Sequence, residues 1–196
     1  MRKYEEIQEI YESFGDQITT NWAISKPCHS FIVEVLGGGK TILELGSGLG
    51  TEILCETHKV ISIEEDSTFI GRHPSKYIHA PLKNLEDKVL EKYKPATSWY
   101  DPEIINKELN GEEPMEYDLI LVDGPAYGGG RGGFYEYLHL FDTSKIIMFD
   151  DIERKDDKRI FDMVVEKLGR PTKILEGGGN TLTGVILTEE LKHLKD

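Results

Sequence analysis

Five short runs dominated by Ile, Leu and Val recur along the chain and constrain its fold more tightly than anything else in it. They are residues 40–45 (KTILEL), 59–63 (KVISI), 76–80 (KYIHA), 117–123 (YDLILVD) and 144–150 (SKIIMFD). Their near-continuous apolar character suits strands covered on both faces, as in a parallel sheet. Parallel neighbours need a crossover, and helical segments lie between the runs. Residues 27–36 read as a helix stopped by Gly37-Gly38-Gly39. Asp101-Pro102 reads as an N-cap and first helical residue, with Asn110-Gly111 as the stop. Residues 153–168 place Ile160, Phe161, Val164, Val165 and Leu168 on one face ahead of Gly169 and Pro171. Finally, 172–176 (TKILE) and 181–188 (TLTGVILT) flank a glycine-rich connection short enough only for antiparallel neighbours. The expected architecture is an α/β sandwich with one reversed strand at its end.

Length fits one domain over residues 1–196, with N-terminal helices in 1–38 and the α/β core in 39–196. Tyr4, Ile7, Ile10, Tyr11 and Phe14 give the first helix its apolar face, closed by Gly15. No run of about eighteen apolar residues occurs, and the charged start lacks the apolar centre of a secretion signal, so a cytoplasmic protein without membrane spans is expected. The two cysteines, Cys28 and Cys55, have no paired ligand spacing and read as reduced, buried side chains. The net charge of −13 repels a phosphate backbone and disfavours nucleic acid as a partner, leaving a small molecule or a protein.

The first run enters the loop Gly46-Ser47-Gly48-Leu49-Gly50-Thr51. Glycines here allow a strand to turn straight into a helix and a ligand to lie against the main chain. The dinucleotide fingerprint needs its third glycine at position 51, which is threonine, so NAD fits poorly. The pattern from Glu44 through Gly46, Gly48 and Gly50 resembles class I S-adenosylmethionine-dependent methyltransferases, over nearly the whole chain after residue 20. That resemblance implies a Rossmann-like three-layer sandwich with a seven-stranded, mostly parallel sheet whose last strand is antiparallel. It also implies cofactor contacts from Glu44, Gly46, Ser47, Gly48, Gly50, Glu64 and Asp123. Glu64, at the end of the second strand, would accept hydrogen bonds from the ribose hydroxyls; the alternative is a solvated acidic turn. Glu44 would sit near the cofactor's cationic amino-acid end, where a pyrophosphate would be poorly served. The family's acid after the third strand is missing here, where His79-Ala80-Pro81-Leu82 stands.

Asp123 ends the fourth run, at the sheet edge where ligands bind in open α/β folds. The following Gly124-Pro125-Ala126-Tyr127 only imitates the pattern of base and amide N-methyltransferases. A second resemblance is to catechol-type and caffeoyl-CoA-type O-methyltransferases, in which acids ending the fourth and fifth strands hold a divalent metal. It implies Asp123, Asp150 and Asp151 as ligands of Mg²⁺, although Asp151 replaces an asparagine of that family. Asp123 and Asp151 would then serve as the catalytic pair, by metal activation or direct proton removal. The alternative is that Asp150-Asp151 simply opens the next helix. Tyr127 and Arg131, in the glycine-rich 126–133, would face the acceptor, with Arg131 meeting an acidic group on it. Asp123-Gly124-Pro125 and Trp99-Tyr100-Asp101 also resemble glucuronoxylan O-methyltransferase-like proteins. Trp22 either packs or closes over the cofactor, His139 reads as a surface or core histidine on a helix, and His29, His58, His73 and His193 show no ligand spacing.

The expectation is methyl transfer from S-adenosylmethionine to a small or carbohydrate-like acceptor, at oxygen. Aminopropyl transfer in the same fold is disfavoured, because glycine and proline follow Asp123 where paired acids would be needed. The alternative from another class is a cofactor-binding sensor or partner protein without turnover.

Overall fold

The computed structural model describes residues 24–85, 97–125 and 130–195, and the first N-terminal helix, Trp22 and Tyr127 lie outside these. Ser25 caps helix α1 (Lys26–Leu36) by accepting from the Cys28 N–H, and Pro27 occupies its first turn. Strand β1 (Thr41–Leu45) leads through the glycine loop into α2 (Leu49–Thr57), then β2 (Lys59–Glu64) and β3 (Lys76–His79). After α3 (Pro102–Asn110), which Asp101 caps, come β6 (Leu119–Val122), α4 (Gly132–Glu136), β7 (Ile146–Phe149) and α5 (Lys155–Leu168). The hairpin β8 (Thr172–Glu176) and β9 (Leu182–Ile186) completes the main sheet.

The sheet has seven strands in the order β3-β2-β1-β6-β7-β9-β8, with β9 antiparallel to both neighbours and the β3-to-β7 pairs parallel. The last strand is thus the reversed one, as expected. It inserts beside β7, inside the edge strand β8. Because strand side chains alternate, each buried run supplies two cores. Leu43, Leu45, Ile61, Ile63, Ile120, Val122, Ile147 and Phe149 pack with Ile105, Phe134 and Phe161 from α3, α4 and α5. Ile42, Val60, Leu119, Leu121, Ile146 and Met148 pack on the opposite face with Ile32 and Leu54 from α1 and α2. Helices on both faces of one sheet make the three-layer sandwich.

A second, two-stranded sheet was not expected from the sequence. Strands β4 (Leu82–Asn84) and β5 (Ser98–Tyr100) pair antiparallel and bury Trp99 and Tyr100. The Trp99 ring lies directly over Gly133, where a Cβ would stand 2.1 Å from it, and stacks on Tyr137 at 5.3 Å between centroids. The ribbon therefore ties the region after β3 to α4.

Register determines what gathers at the carboxyl end of the sheet. Leu45 is opposite Ile63 and Val122, and Val122 is opposite Phe149. One residue further, Gly46, Glu64, Asp123 and Asp150 form the next row, its ladder continued by Gly46 N–H to Ile63 O, Asp123 N–H to Leu45 O and Asp150 N–H to Val122 O. Three carboxylates and a glycine turn thus share one edge.

Candidate functional site

Gly46 turns the chain out of β1 with φ +93°, a left-handed value that glycine adopts without strain. It also lies against the loop after β6: a Cβ on Gly124 would stand 2.9 Å from the Gly46 Cα. Beyond the turn, the Thr51 hydroxyl accepts from the Gly48 N–H at 2.9 Å and donates to Glu44 Oε2 at 2.8 Å. The Ser62 hydroxyl donates to the same oxygen at 2.9 Å. Glu44 is 1% exposed, so its carboxylate braces the loop from inside and is not presented to a ligand, contrary to the expectation of a contact at the cofactor's amino-acid end. Burial lifts it to about 7, against the opposing effect of the two hydroxyl donors.

Glu64, the last residue of β2, is 4% exposed. Its Oε1 accepts from the Asp66 N–H at 2.9 Å, and the carboxylate also draws on the Ser47 N–H of the glycine loop. Burial, with Glu65 alongside, raises it to about 7. This is no freely solvated acidic turn. The carboxylate is set into the wall beside the loop, with main-chain donors and no cation paired to it among the described residues. Ser47 reaches from the same loop to Tyr77 on β3, Oγ to Oη 3.1 Å.

The other half of the edge is organised around Arg131, the N-cap of α4. Its side chain is 4% exposed. Nη2 lies 3.1 Å from Asp123 Oδ1, 3.1 Å from Asp151 Oδ2 and 3.3 Å from the Asp123 carbonyl. Nη1 donates to the Asp150 carbonyl and lies 3.8 Å from Asp157 Oδ2. Arg154 adds a second guanidinium on Asp151 Oδ2 at 2.8 Å. The expectation that Arg131 faces an acceptor is therefore corrected: its side chain is buried and both terminal nitrogens are bonded within the protein. The carboxylates around it still outnumber the cations. Burial and then the charge of Asp150 hold Asp123 well above the usual carboxylate range, and burial raises Asp150 and Asp157. Burial alone would depress Arg131, but Asp123, Asp157, Asp151 and Asp150 keep it above its ordinary value.

The expected Mg²⁺ set is likewise corrected. Asp150 turns to the opposite side, where its Oδ1 accepts from the Thr183 hydroxyl at 2.7 Å, and Asp123 and Asp151 are bonded to Arg131. Among the described residues no group of three His, Cys, Asp or Glu side chains has metal-binding geometry. Nor does Asp150-Asp151 open the following helix. That helix starts at Lys155, with Asp156 and Asp157 as its first-turn acids, while Asp151 adopts φ +56°, a backbone region uncommon outside glycine.

Two site residues were missed in the sequence. Asp157 completes the shell of Arg131, and its only signal was a second Asp-Asp pair at 156–157. The fully buried Tyr100 hydroxyl has no hydrogen-bond partner among the described residues; a Cβ on Gly124 would meet it at 2.3 Å. Asp123 itself keeps a third of its side chain exposed. The histidines serve elsewhere: His58 Nε2 lies 2.9 Å from the Gly37 carbonyl, His29 Nε2 lies 3.2 Å from the Thr57 hydroxyl, and His139 is exposed. Both cysteines are free thiols, Cys28 buried and Cys55 partly so.

No family model matches the chain, and no curated protein sequence does. Solved structures do. A methyltransferase from Geobacter sulfurreducens superposes with a TM-score of 0.52 at 10% identity, covering 96% of this chain and 92% of that one. A methyltransferase-like protein from Silicibacter pomeroyi gives 0.50 at 18% identity over 85% and 88% of the two chains. An rRNA methylase from Streptococcus thermophilus gives 0.50 at 10% identity over 85% and 99%. With the sheet order and the reversed β9, these likenesses establish the Rossmann-like class I methyltransferase fold. No helix among the described residues is long and apolar enough to cross a membrane.

Proposed function

We propose that the protein is an S-adenosylmethionine-dependent methyltransferase acting on a small, non-acidic acceptor at oxygen. The observation that carries this reading is Glu64: a nearly buried carboxylate at the end of β2, held by the Ser47 and Asp66 N–H groups and raised to about 7 by burial, with Glu65 alongside. A ribose diol supplies two hydroxyl donors of the kind this carboxylate lacks. The glycine turn at Gly46 leaves main chain, without a Cβ, beside it. When bound, the cofactor supplies an electrophilic methyl carbon on a cationic sulfur, and an edge carrying Glu64, Asp123 and Asp150 in excess over nearby cations favours a positive ligand and opposes a pyrophosphate.

On the acceptor side, Asp123 is the one carboxylate of this edge with substantial exposure, and its raised proton affinity suits the removal of a hydroxyl proton. With both terminal nitrogens of Arg131 bonded internally and Arg154 paired with Asp151, the cations of this edge among the described residues are already engaged by carboxylates. That shifts the expected acceptor from acidic sugars to neutral or basic molecules. A second reading, a cofactor-binding sensor without turnover, is favoured by one observation: Arg131 occupies both Asp123 Oδ1 and Asp151 Oδ2, the carboxylates expected to act on an acceptor.

Calorimetric titration with S-adenosylhomocysteine, with NAD as the control, tests the cofactor assignment. Binding of the first and not the second supports it; the reverse pattern would sink it. Transfer of labelled methyl from S-adenosylmethionine to neutral hydroxylated acceptors, lost in Asp123→Asn with cofactor binding kept, separates the enzyme from the sensor.

A further inference from the structure

Gly46, which follows β1, and Gly124, just past β6, lie against each other where the strand order reverses: β2 and β3 stand to one side of β1, β6 and β7 to the other. In open α/β sheets the crevice at such a reversal is where ligands bind. Tyr100 reaches this point from outside the main sheet. Neighbours on a strand point to opposite faces, so with Trp99 seated over Gly133 the Tyr100 side chain is turned to Gly124, where a Cβ would stand 2.3 Å from the phenol oxygen and 2.9 Å from the Gly46 Cα. Neither glycine places a side chain between that oxygen and the crevice. The hydroxyl is fully buried and has no hydrogen-bond partner among the described residues, an arrangement that stability alone disfavours. Burial, then the charges of Glu65, Glu64 and Asp123, hold the phenol well above its usual range against the opposing Arg131, so it keeps its proton and both donates and accepts.

We propose that the Tyr100 hydroxyl is a cofactor contact, bonding the amino-acid end of the S-adenosyl ligand at the Gly46–Gly124 crevice. This rests on the proposed cofactor, with its ribose at Glu64. Strands stand about 4.8 Å apart, so the gap between β1 and β6 lies about 7 Å from β2, beyond the ribose and within reach of the sulfur-bearing chain. The carboxylates whose charge is felt at the phenol come from both halves of the edge, Glu64 and Glu65 on one side and Asp123 on the other. Their field favours the end that carries an ammonium over the neutral adenine. The phenol suits both parts of that zwitterion: its oxygen accepts from the ammonium, and its proton bonds the neighbouring carboxylate. Contact requires the main chain at Gly124 to part from the hydroxyl, a movement that two residues without side chains permit.

The experiment is calorimetric titration of the full chain with S-adenosylhomocysteine and with methylthioadenosine, which keeps the adenosine and the sulfur but lacks the amino-acid end. Tyr100→Phe retains the ring and removes only the oxygen. It should bind S-adenosylhomocysteine about tenfold or more weakly than the wild type, while methylthioadenosine changes by less than about twofold. Its melting temperature without ligand should equal or exceed that of the wild type, because an unpaired buried hydroxyl has been removed. A hydroxyl engaged only by a buried water gives the opposite pattern, a lower melting temperature with both affinities unchanged, and overturns the inference; so does an equal loss of affinity for both ligands. With tyrosine Cζ labelled for NMR, the wild-type resonance missing from Tyr100→Phe should shift with S-adenosylhomocysteine and stay in place with methylthioadenosine, and movement with both or with neither also overturns it. Wild-type protein that binds neither ligand removes the cofactor reading and this inference with it, whereas S-adenosylhomocysteine binding that Tyr100→Phe leaves intact removes the inference alone.

Discussion

Glu44→Gln should make the protein less sensitive to alkaline pH, by an amount that follows from its burial. Glu44 is 1% exposed and holds its proton up to about pH 7, against 4.5 for an ordinary glutamate. A carboxyl whose folded pKa is raised contributes fully below its unfolded pKa, and stability then falls as pH rises from 4.5 through 7, because the folded state binds the extra proton over that window. At about 1.4 kcal/mol per unit, the interval amounts to roughly 3 kcal/mol lost by pH 8. Glutamine has the same shape, and its carbonyl oxygen can still accept from Thr51 and Ser62, but it has no proton to lose. Urea denaturation of both proteins at pH 5 and pH 8, followed by tryptophan fluorescence, should give a pH-dependent difference smaller in the variant by roughly 3 kcal/mol. Glu64, Asp123, Asp150 and Asp157 are also raised, but they occur in both proteins and largely cancel in the comparison. Parallel pH dependences would refute the reasoning, because they would mean that Glu44 is ionised in the folded protein at little cost.

Glu64→Ala should weaken adenosine binding by about 1.5–3 kcal/mol, the loss of hydrogen bonds to a charged group. Because donors from the ligand favour the ionised form, wild-type affinity should rise with pH through about 7, while Glu64→Gln should give a flat calorimetric profile. Gly124→Ala forces a Cβ to 2.3 Å from Tyr100 Oη and 2.9 Å from the Gly46 Cα, so it should cost about 1–3 kcal/mol in thermal unfolding and loosen cofactor binding. Gly178→Ala, with nothing within 4 Å of the new Cβ, serves as the neutral control. Trp99→Ala removes the buried ring that joins the β4–β5 ribbon to Gly133 and Tyr137 and should cost about 3–5 kcal/mol in chemical denaturation, through the cavity it leaves.

What could be read in the sequence follows from what each element owes to local chemistry. The runs at Thr41, Lys59, Leu119 and Ile146 were recognisable because both faces of a central parallel strand are buried, so their apolar content is continuous, whereas the run at Lys76 forms the edge strand β3 and buries only Ile78. The Asp101-Pro102 cap and the hairpin ending in β9 are decided within a few residues, and both appeared where expected. The ribbon was not legible: β4 is Leu-Lys-Asn and β5 Ser-Trp-Tyr, three residues each, too short for a period of two to stand out. Nor was the inward turn of Arg131. The side-chain direction of a loop residue follows from which charges the fold collects nearby, and Asp123, Asp151 and Asp157 come from three separate elements. An arginine among glycines looked like a hand extended to a ligand, whereas desolvated carboxylates competed for it more strongly.

The two halves of the edge answer one problem in different ways. Register sets Glu64 and Asp123 in the same row, with Glu44 just inside it on β1, and all three lie in surroundings that penalise charge. Around β1 and β2 the penalty is met by hydroxyl and main-chain donors alone, so Glu44 and Glu64 are raised to about 7 and can change charge near neutrality. Around β6 and β7 it is met by a guanidinium that does not titrate, bonded to Asp123 and Asp151. A cationic ligand entering beside Glu64 thus gains by drawing out the ionised carboxylate, and its affinity must vary with pH. A ligand at Asp123 meets a carboxyl that burial and Asp150 hold above the usual carboxylate range even with Arg131 bonded to it. Cofactor affinity should therefore respond to pH around 7 even in an Arg131→Lys protein, since its titrating group lies on β2, outside the guanidinium's shell.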